Sequence, residues 1–481
     1  MATRKTQSRV EQDHLGEMTI PAGAFWGVST ARCLDYFGAS GQRVHPKLFE
    51  AMVHVKKACA TTNGELGILD ESLGTAIVTA CNEILQGELG DQSAVDALSG
   101  GSGIALNINV GEVVANRAGE ILGGQPGIHD RIHPERHVNL SQAPGDAYIT
   151  ASRIAILLYL SQFKTCLLDL ERLLRRKSLE FERIVKPGRT YLRDSVPVTL
   201  GQEFNAYGSA VEKSLRRIQE SAEGLREINL GGTFVGTGYN ATTDFQRRIV
   251  EILASSTGLE LKAADDYFRL GSSMGDFVEF SSSLKELAVD LIKVANDLRL
   301  LSSGPATGIA EIFLPEVLRA PSDLLPDLMS EAPIPPLTED LAMICFQVLG
   351  NDHVVTLAAQ SGQLETNSMT PLISHNILSS MDILEKGIKA FSTHCLARVT
   401  ANSLRCREAF ERSGALVAAL STELGYQKAT EVVNRASASG QDVKDFLLET
   451  KLITETELER LFHHRFMTTP GRMRASDDSI K

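Results

Sequence analysis

The sequence has few aromatic residues, 6% of 481 with a single tryptophan, and no C-x-x-C pair among its seven cysteines. Cys33, Cys59, Cys81, Cys166, Cys345, Cys395 and Cys406 are odd in number and widely scattered, which disfavours both a disulfide scaffold and a zinc ribbon. Positive charge is not in excess either. The formal net charge is −12, so neither nucleic acid nor a membrane surface is an expected partner. No apolar run reaches the roughly 18 residues a membrane span needs, and the opening MATRKTQSRVEQDHLGE lacks the apolar stretch of a signal peptide. What is present is a 43% hydrophobic share, enough for a large core. An acidic, soluble, cytoplasmic globular protein is the expectation.

Up to about residue 148, short apolar runs alternate with glycine punctuation such as Ser99-Gly100-Gly101-Ser102-Gly103. From Ser152 the texture changes. Ile154, Leu157, Leu158, Leu160, Leu167, Leu170 and Leu174 recur at helical spacing and predict one long amphipathic helix to about Ile184. Leu284, Leu287, Leu291, Val294, Leu298 and Leu301 alternate three- and four-residue steps, which keeps one stripe facing a partner helix. Further helical patterns cover 202–227, 339–360, 367–398 and 405–422. The consistent solution is a mainly α protein with a central bundle of long helices, whose apolar surface favours oligomerisation. Along the chain this gives a mixed N-terminal segment (1–148), the bundle (149–400) and a small helical C-terminal segment (401–481). Asn229–Asn240 and Ser303–Pro336 resist helix assignment; the second holds seven prolines and is expected to be a functional loop.

Four segments of small and polar residues interrupt the helices: 100–109, 133–142, 188–192 and 231–240. Glycine-rich loops let backbone N–H groups approach an anion, although each segment alone is also compatible with a tight connection. His133 and His137 stand four apart, but Pro134 argues against the helix a metal-binding pair would need, so no metal site is expected.

Taken in order, these segments resemble one family. Glu11-x-Asp13-x-x-Gly16, with Pro21-x-x-Ala24-x-Trp26-Gly27-x-x-Thr30, resembles the opening of aspartases and class II fumarases. Gly101-Ser102-Gly103 through Asn107, Asn109 and Glu112–Ala118, then Gly188–Leu192, Gly232–Asn240, Ser361–Asn367 and Met467–Gly471, match further motifs of that family. The resemblance covers about residues 8 to 473 and leans toward aspartase. It implies a three-domain aspartase/fumarase-type fold, a homotetramer with three chains at each active site, a small-molecule substrate and no cofactor. It also implies β-elimination from a dicarboxylate, with a loop serine as base and surrounding donors holding the developing charge.

The departures from the family pattern cluster at the chemistry. Ile104 replaces a threonine, Ala143-Pro144-Gly145-Asp146 replaces an S-[ST]-N-D carboxylate-binding run, and Tyr191 replaces a histidine with a phenol that ordinarily titrates near 10. Between Leu314 and Asp352 the chain carries an insertion of about five residues. With the insertion late, Ser322-Asp323-Leu324-Leu325-Pro326 lies over the family's S-S-x-M-P and Ser322 is the candidate base; with it early, Pro326 takes the serine position. The lysine position holds Leu328 or Ala332 in either case. The resemblance therefore assigns Ser322 and Tyr191 as candidate catalytic residues, with Asn107, Thr190, Gln142, Asp146 and Ile104 as candidate substrate contacts. Two functions follow: a divergent lyase acting by β-elimination or the reverse addition on a substrate other than aspartate or malate, or an inactive member serving as scaffold or partner subunit.

Overall fold

A computed structural model describes residues 8–315 and 336–469. The chain opens with an antiparallel hairpin of β1 (Ser8–Asp13) and β2 (Gly16–Pro21), then runs through α1 (Val28–Tyr36), α2 (Pro46–Glu65), α3 (Glu71–Leu85) and α4 (Ile104–Ile121). The 37-residue α5 (Pro144–Glu180) leads to a second antiparallel hairpin, β3 (Val185–Thr190) and β4 (Arg193–Thr199). There follow α6 (Leu200–Ser221), α7 (Thr243–Thr257), α8 (Tyr267–Ser272), α9 (Gly275–Leu301), α10 (Pro336–Ala359) and α11 (Thr370–His394). Six short helices close the described chain: α12 (Ser403–Glu411), α13 (Gly414–Leu424), α14 (Tyr426–Ser439), α15 (Val443–Glu449), α16 (Glu455–Leu461) and α17 (His464–Thr468). The mainly α architecture is as the apolar periodicity predicts.

Local chemistry sets the boundaries. His45, Asp70, Thr242 and Asp266 cap α2, α3, α7 and α8 through their side chains, and Thr454 with Glu457 forms a reciprocal capping box on α16. The start of α1 has no such side chain. Its N–H groups are instead received by two buried carboxylates: Gly27, Ser29 and Thr30 donate to Glu112, and Val28 donates to Glu11. All six residues of the leucine stripe on α9 are buried.

Three helices depart from the sequence pattern. The long helix begins at Pro144 rather than near Ser152, because proline suits a first turn that needs no N–H. It stops at Glu180 rather than Ile184, because Leu200 and Gly201 cross the chain there and donate to the Ile184 and Phe181 carbonyls. The pattern over 405–422 is two helices; Ser413 interrupts it and caps α13 through Ala415 N. His133–Val138 does contain a helical turn, a π-type turn over Pro134–Val138 in which the proline takes the first position and His133 Nδ1 accepts from Glu135 N at 3.1 Å. By length and composition α10 is apolar enough to cross a membrane, with 44% of its most apolar window buried inside the protein.

By packing, the chain forms two compact units, each assembled from three stretches. The first comprises Met1–Thr165, Ser214–Ala288 and Cys345–Glu385; the second comprises Cys166–Lys213, Val289–Ile344 and Lys386–Lys481. This division does not coincide with the boundaries at 148 and 400 drawn along the sequence.

Candidate active site

In the first unit the candidate residues surround a lysine that the motifs did not single out. Lys56 lies on α2 among Val53, Val55, Ala58 and Cys59, and is fully buried. Its Nζ donates to Asn107 Oδ1 (2.5 Å) on α4 and to Gln142 Oε1 (2.8 Å), while Gln142 Nε2 returns a hydrogen bond to the Val138 carbonyl. Burial pushes the Lys56 ammonium down to about 8. Its one sequence signal is a charged residue inside an apolar helical run.

Asp146 is equally enclosed. Oδ1 accepts from Ala143 N (2.8 Å) and Oδ2 accepts from Gly231 N (3.0 Å) and Thr233 N (2.9 Å), so one carboxylate joins the start of α5 to the glycine-rich loop. Burial raises its pKa to about 6, against the pull of these backbone donors. Asn107, Gln142 and Asp146 thus spend their polar atoms inside the protein, as a frame beneath the loops.

The side chains facing outward are of a different kind. Ile104, the first residue of α4, is 38% exposed, and no side chain caps that helix. Gly103 before it has φ +82, and a Cβ there would lie 1.9 Å from the Tyr148 ring, so only glycine fits. At the start of α5 the half-buried Pro144 and Gly145 carry no side-chain donor, and Pro144 has no N–H; Ala143 before them is buried.

The second unit holds Thr190 and Tyr191. The β3–β4 hairpin closes through the two-residue loop Tyr191-Leu192, with φ +55 and +59, and leaves Tyr191 98% exposed. Its base rests on a buried charge network. Glu311 is fully buried and pairs with Lys186 (2.6 Å) and Arg189 (2.6 Å), while Lys186 also pairs with Glu203 (2.8 Å). Ser322 lies outside the described residues. Among the described residues no group of three or more histidine, cysteine, aspartate or glutamate side chains could hold a metal ion.

Backbone strain marks the same loops. Nine described non-glycine residues have positive φ, and six of them (Ser102, Ser141, Tyr191, Leu192, Thr233 and Asn240) fall in the four segments singled out from the sequence. Such conformations cost on the order of 1–3 kcal/mol each and gather where surrounding structure enforces a functional shape.

A mainly α fold with strained loops beside a buried polar frame is the architecture these observations define. The family model described as "Lyase" matches residues 16–350, and that described as "Fumarase C C-terminus" matches residues 416–469. The chain is 38% identical over 472 residues to the aspartate ammonia-lyase of Bacillus subtilis, covering 98% of each chain. It is also 38% identical over 454 residues to the class II fumarate hydratase of Nitrosomonas europaea, covering 94% of this chain and 97% of that one. A cobalt-bound crystal structure of fumarate lyase:delta crystallin from Brucella melitensis superposes with a TM-score of 0.90 at 41% identity, covering 96% of this chain and all of that one. The chain belongs to the aspartase/fumarase superfamily of lyases.

Proposed function

We propose that this chain is a lyase of the superfamily whose substrate carries less negative charge than aspartate or malate. One observation carries the reading. The frame beneath the site is complete, with Lys56 on Asn107 and Gln142, and Asp146 on the glycine loop, yet the more exposed positions beside it hold Ile104, Pro144 and Gly145. An elimination that builds up a dianion needs donors at the developing charge, and removing one typically costs 10²–10³-fold in rate. A site that replaces several donors with apolar groups while keeping its scaffold suits a mono-carboxylate or neutral substrate. Ser322 is the proposed base and Thr190 a remaining donor, with Tyr191 in the place of the family's histidine.

The working form is proposed to be a cytoplasmic homotetramer. Val289 and Leu300 on α9, with Met343, Phe346 and Leu357 on α10, are exposed apolar side chains of the kind that association of helices covers.

The test is a mass-spectrometric turnover screen of the purified protein on aspartate, malate, fumarate with ammonia, and a panel of mono-carboxylate amine adducts, run beside Ser322→Ala. A product formed from a mono-carboxylate by the native protein and absent in the variant is expected. Turnover of aspartate or malate at ordinary enzyme rates overturns the proposal. Absence of any turnover by a folded oligomer overturns it as well, in favour of a partner-subunit role.

A further inference from the structure

The second unit contains a pocket of about 320 Å³ whose charge runs against that of the chain. Arg183 lines it from the turn before β3, Arg407 from α12 and Lys444 from α15, and Glu411 is the one carboxylate in the lining. The balance is two positive charges, in a sequence with a formal net charge of −12. Several exposed arginines elsewhere are matched: Arg172 with Asp169, Arg248 with Glu65, Arg460 with Glu423 and Arg465 with Glu182. None of the three pocket cations forms an ion pair among the described residues; Lys444 lies instead over the Phe462 ring, 4.8 Å from its centroid. Like charges brought together without partners repel, and an anion between them relieves that repulsion.

Apart from Ser403, the rest of the lining is apolar. Phe410 and Met467 are buried and Phe462 is half-buried, a surface suited to the face or edge of a flat ring. Arginine forks match phosphate oxygens in geometry, and a phosphate monoester brings a charge of about −1.5 to −2 at neutral pH, close to the balance of the lining. We propose that this pocket binds a phosphate monoester attached to a flat ring, with the chemistry of a nucleoside monophosphate. The phosphate sits among Arg183, Arg407 and Lys444, and the ring lies against Phe410 and Phe462.

Such a ligand bridges two elements that already converge. Arg183 leads into β3, which carries Arg189 and Thr190, while α12 is capped by Asn402, whose N–H donates to the Glu311 carbonyl at 2.9 Å. Binding therefore ties the root of the hairpin to the helix that packs on it.

The test is calorimetric titration of the full-length protein with adenosine 5′-monophosphate, adenosine and inorganic phosphate. Saturable binding of the monophosphate is expected, weakening as salt rises, with the nucleoside and phosphate alone each bound at least about tenfold more weakly. Arg407→Ala and Lys444→Ala should each weaken it at least about tenfold, because each removes a charged contact. Arg412→Ala removes an exposed charge next to α12 that does not line the pocket and should leave binding unchanged. Amide exchange over residues 183–190 should slow on binding. No saturation at millimolar monophosphate overturns the proposal. So does equal binding of phosphate alone, or an equal loss in Arg412→Ala.

Discussion

Asp146 accepts a hydrogen bond from the backbone N–H of Thr233 at 2.9 Å, across 87 residues of sequence. The same oxygen takes Gly231 N, so the loop over 231–240 is held at its start by one buried carboxylate. Asp146 is therefore a positioning group for that loop. Asp146→Ala should strip three backbone donors of their acceptor, at about 1–3 kcal/mol for each buried group left unpaired. Hydrogen exchange should quicken over 229–240 well before it does in α9; unchanged exchange there would refute the clamp.

The same residue gives stability a pH dependence. Its folded pKa, raised to about 6 from the ordinary 3.8, means that the folded protein holds a proton the unfolded chain has released. Its contribution to stability is then complete below about 3.8 and is lost as pH rises through 6, by up to about 3 kcal/mol. Asp146→Asn removes that proton exchange. The difference in denaturation midpoint between native protein and variant should shrink between pH 4.5 and 7.5.

Lys56 behaves in the opposite sense. With its folded pKa lowered to about 8, the unfolded chain binds the proton more tightly, so its contribution is present above about 10.5 and is lost as pH falls through 8. Lys56→Met keeps the volume but leaves Asn107 Oδ1 and Gln142 Oε1 without their donor. A loss of about 2–3 kcal/mol at pH 7 is expected from chemical denaturation. The gain in stability from pH 8 to 10 should vanish with it.

Glu311 is the acceptor shared by Lys186 and Arg189 beneath the β3–β4 hairpin. Glu311→Gln leaves buried positive charge compensated only by Glu203, and removal of one member of a buried pair typically costs about 3–5 kcal/mol. Limited proteolysis should cut the variant near residues 189–193 first. A cut elsewhere would show that the network does not support this hairpin.

All seven cysteines are buried, and burial raises the thiols of Cys81, Cys345, Cys395 and Cys406 to about 12. Thiolates are the reactive form, so a thiol reagent at pH 8 should label none of the seven in the native protein. All seven should react in denaturant. Rapid labelling of any one without denaturant would mark a local opening.

The helices were legible because an apolar stripe repeats at a period the backbone imposes; Leu284 through Leu301 needed no other information. Helix ends were less so. The stop at Glu180 is set by Leu200 and Gly201, twenty residues away, which no local window contains. Among the site residues, motif matching located the loops but not the work each side chain does. Asn107, Gln142 and Asp146 read as groups that meet a ligand, and the folded chain turns all three inward. Lys56 escaped notice because a lysine in an apolar run looks like an error of pattern until its two acceptors, 51 and 86 residues on, are brought beside it. Glu311 was hidden for the same reason, its partners lying 122 and 125 residues earlier.

A two-residue hairpin loop with both φ values positive is the place where asparagine and glycine cost least. This chain puts tyrosine and leucine there, each at on the order of 1–2 kcal/mol. Both side chains stand in solvent, Tyr191 98% and Leu192 76% exposed, so the conformational cost at this tip is offset by no burial within the chain. The stability of the hairpin must therefore come from its root, where Glu311 holds Lys186 and Arg189, and not from its turn.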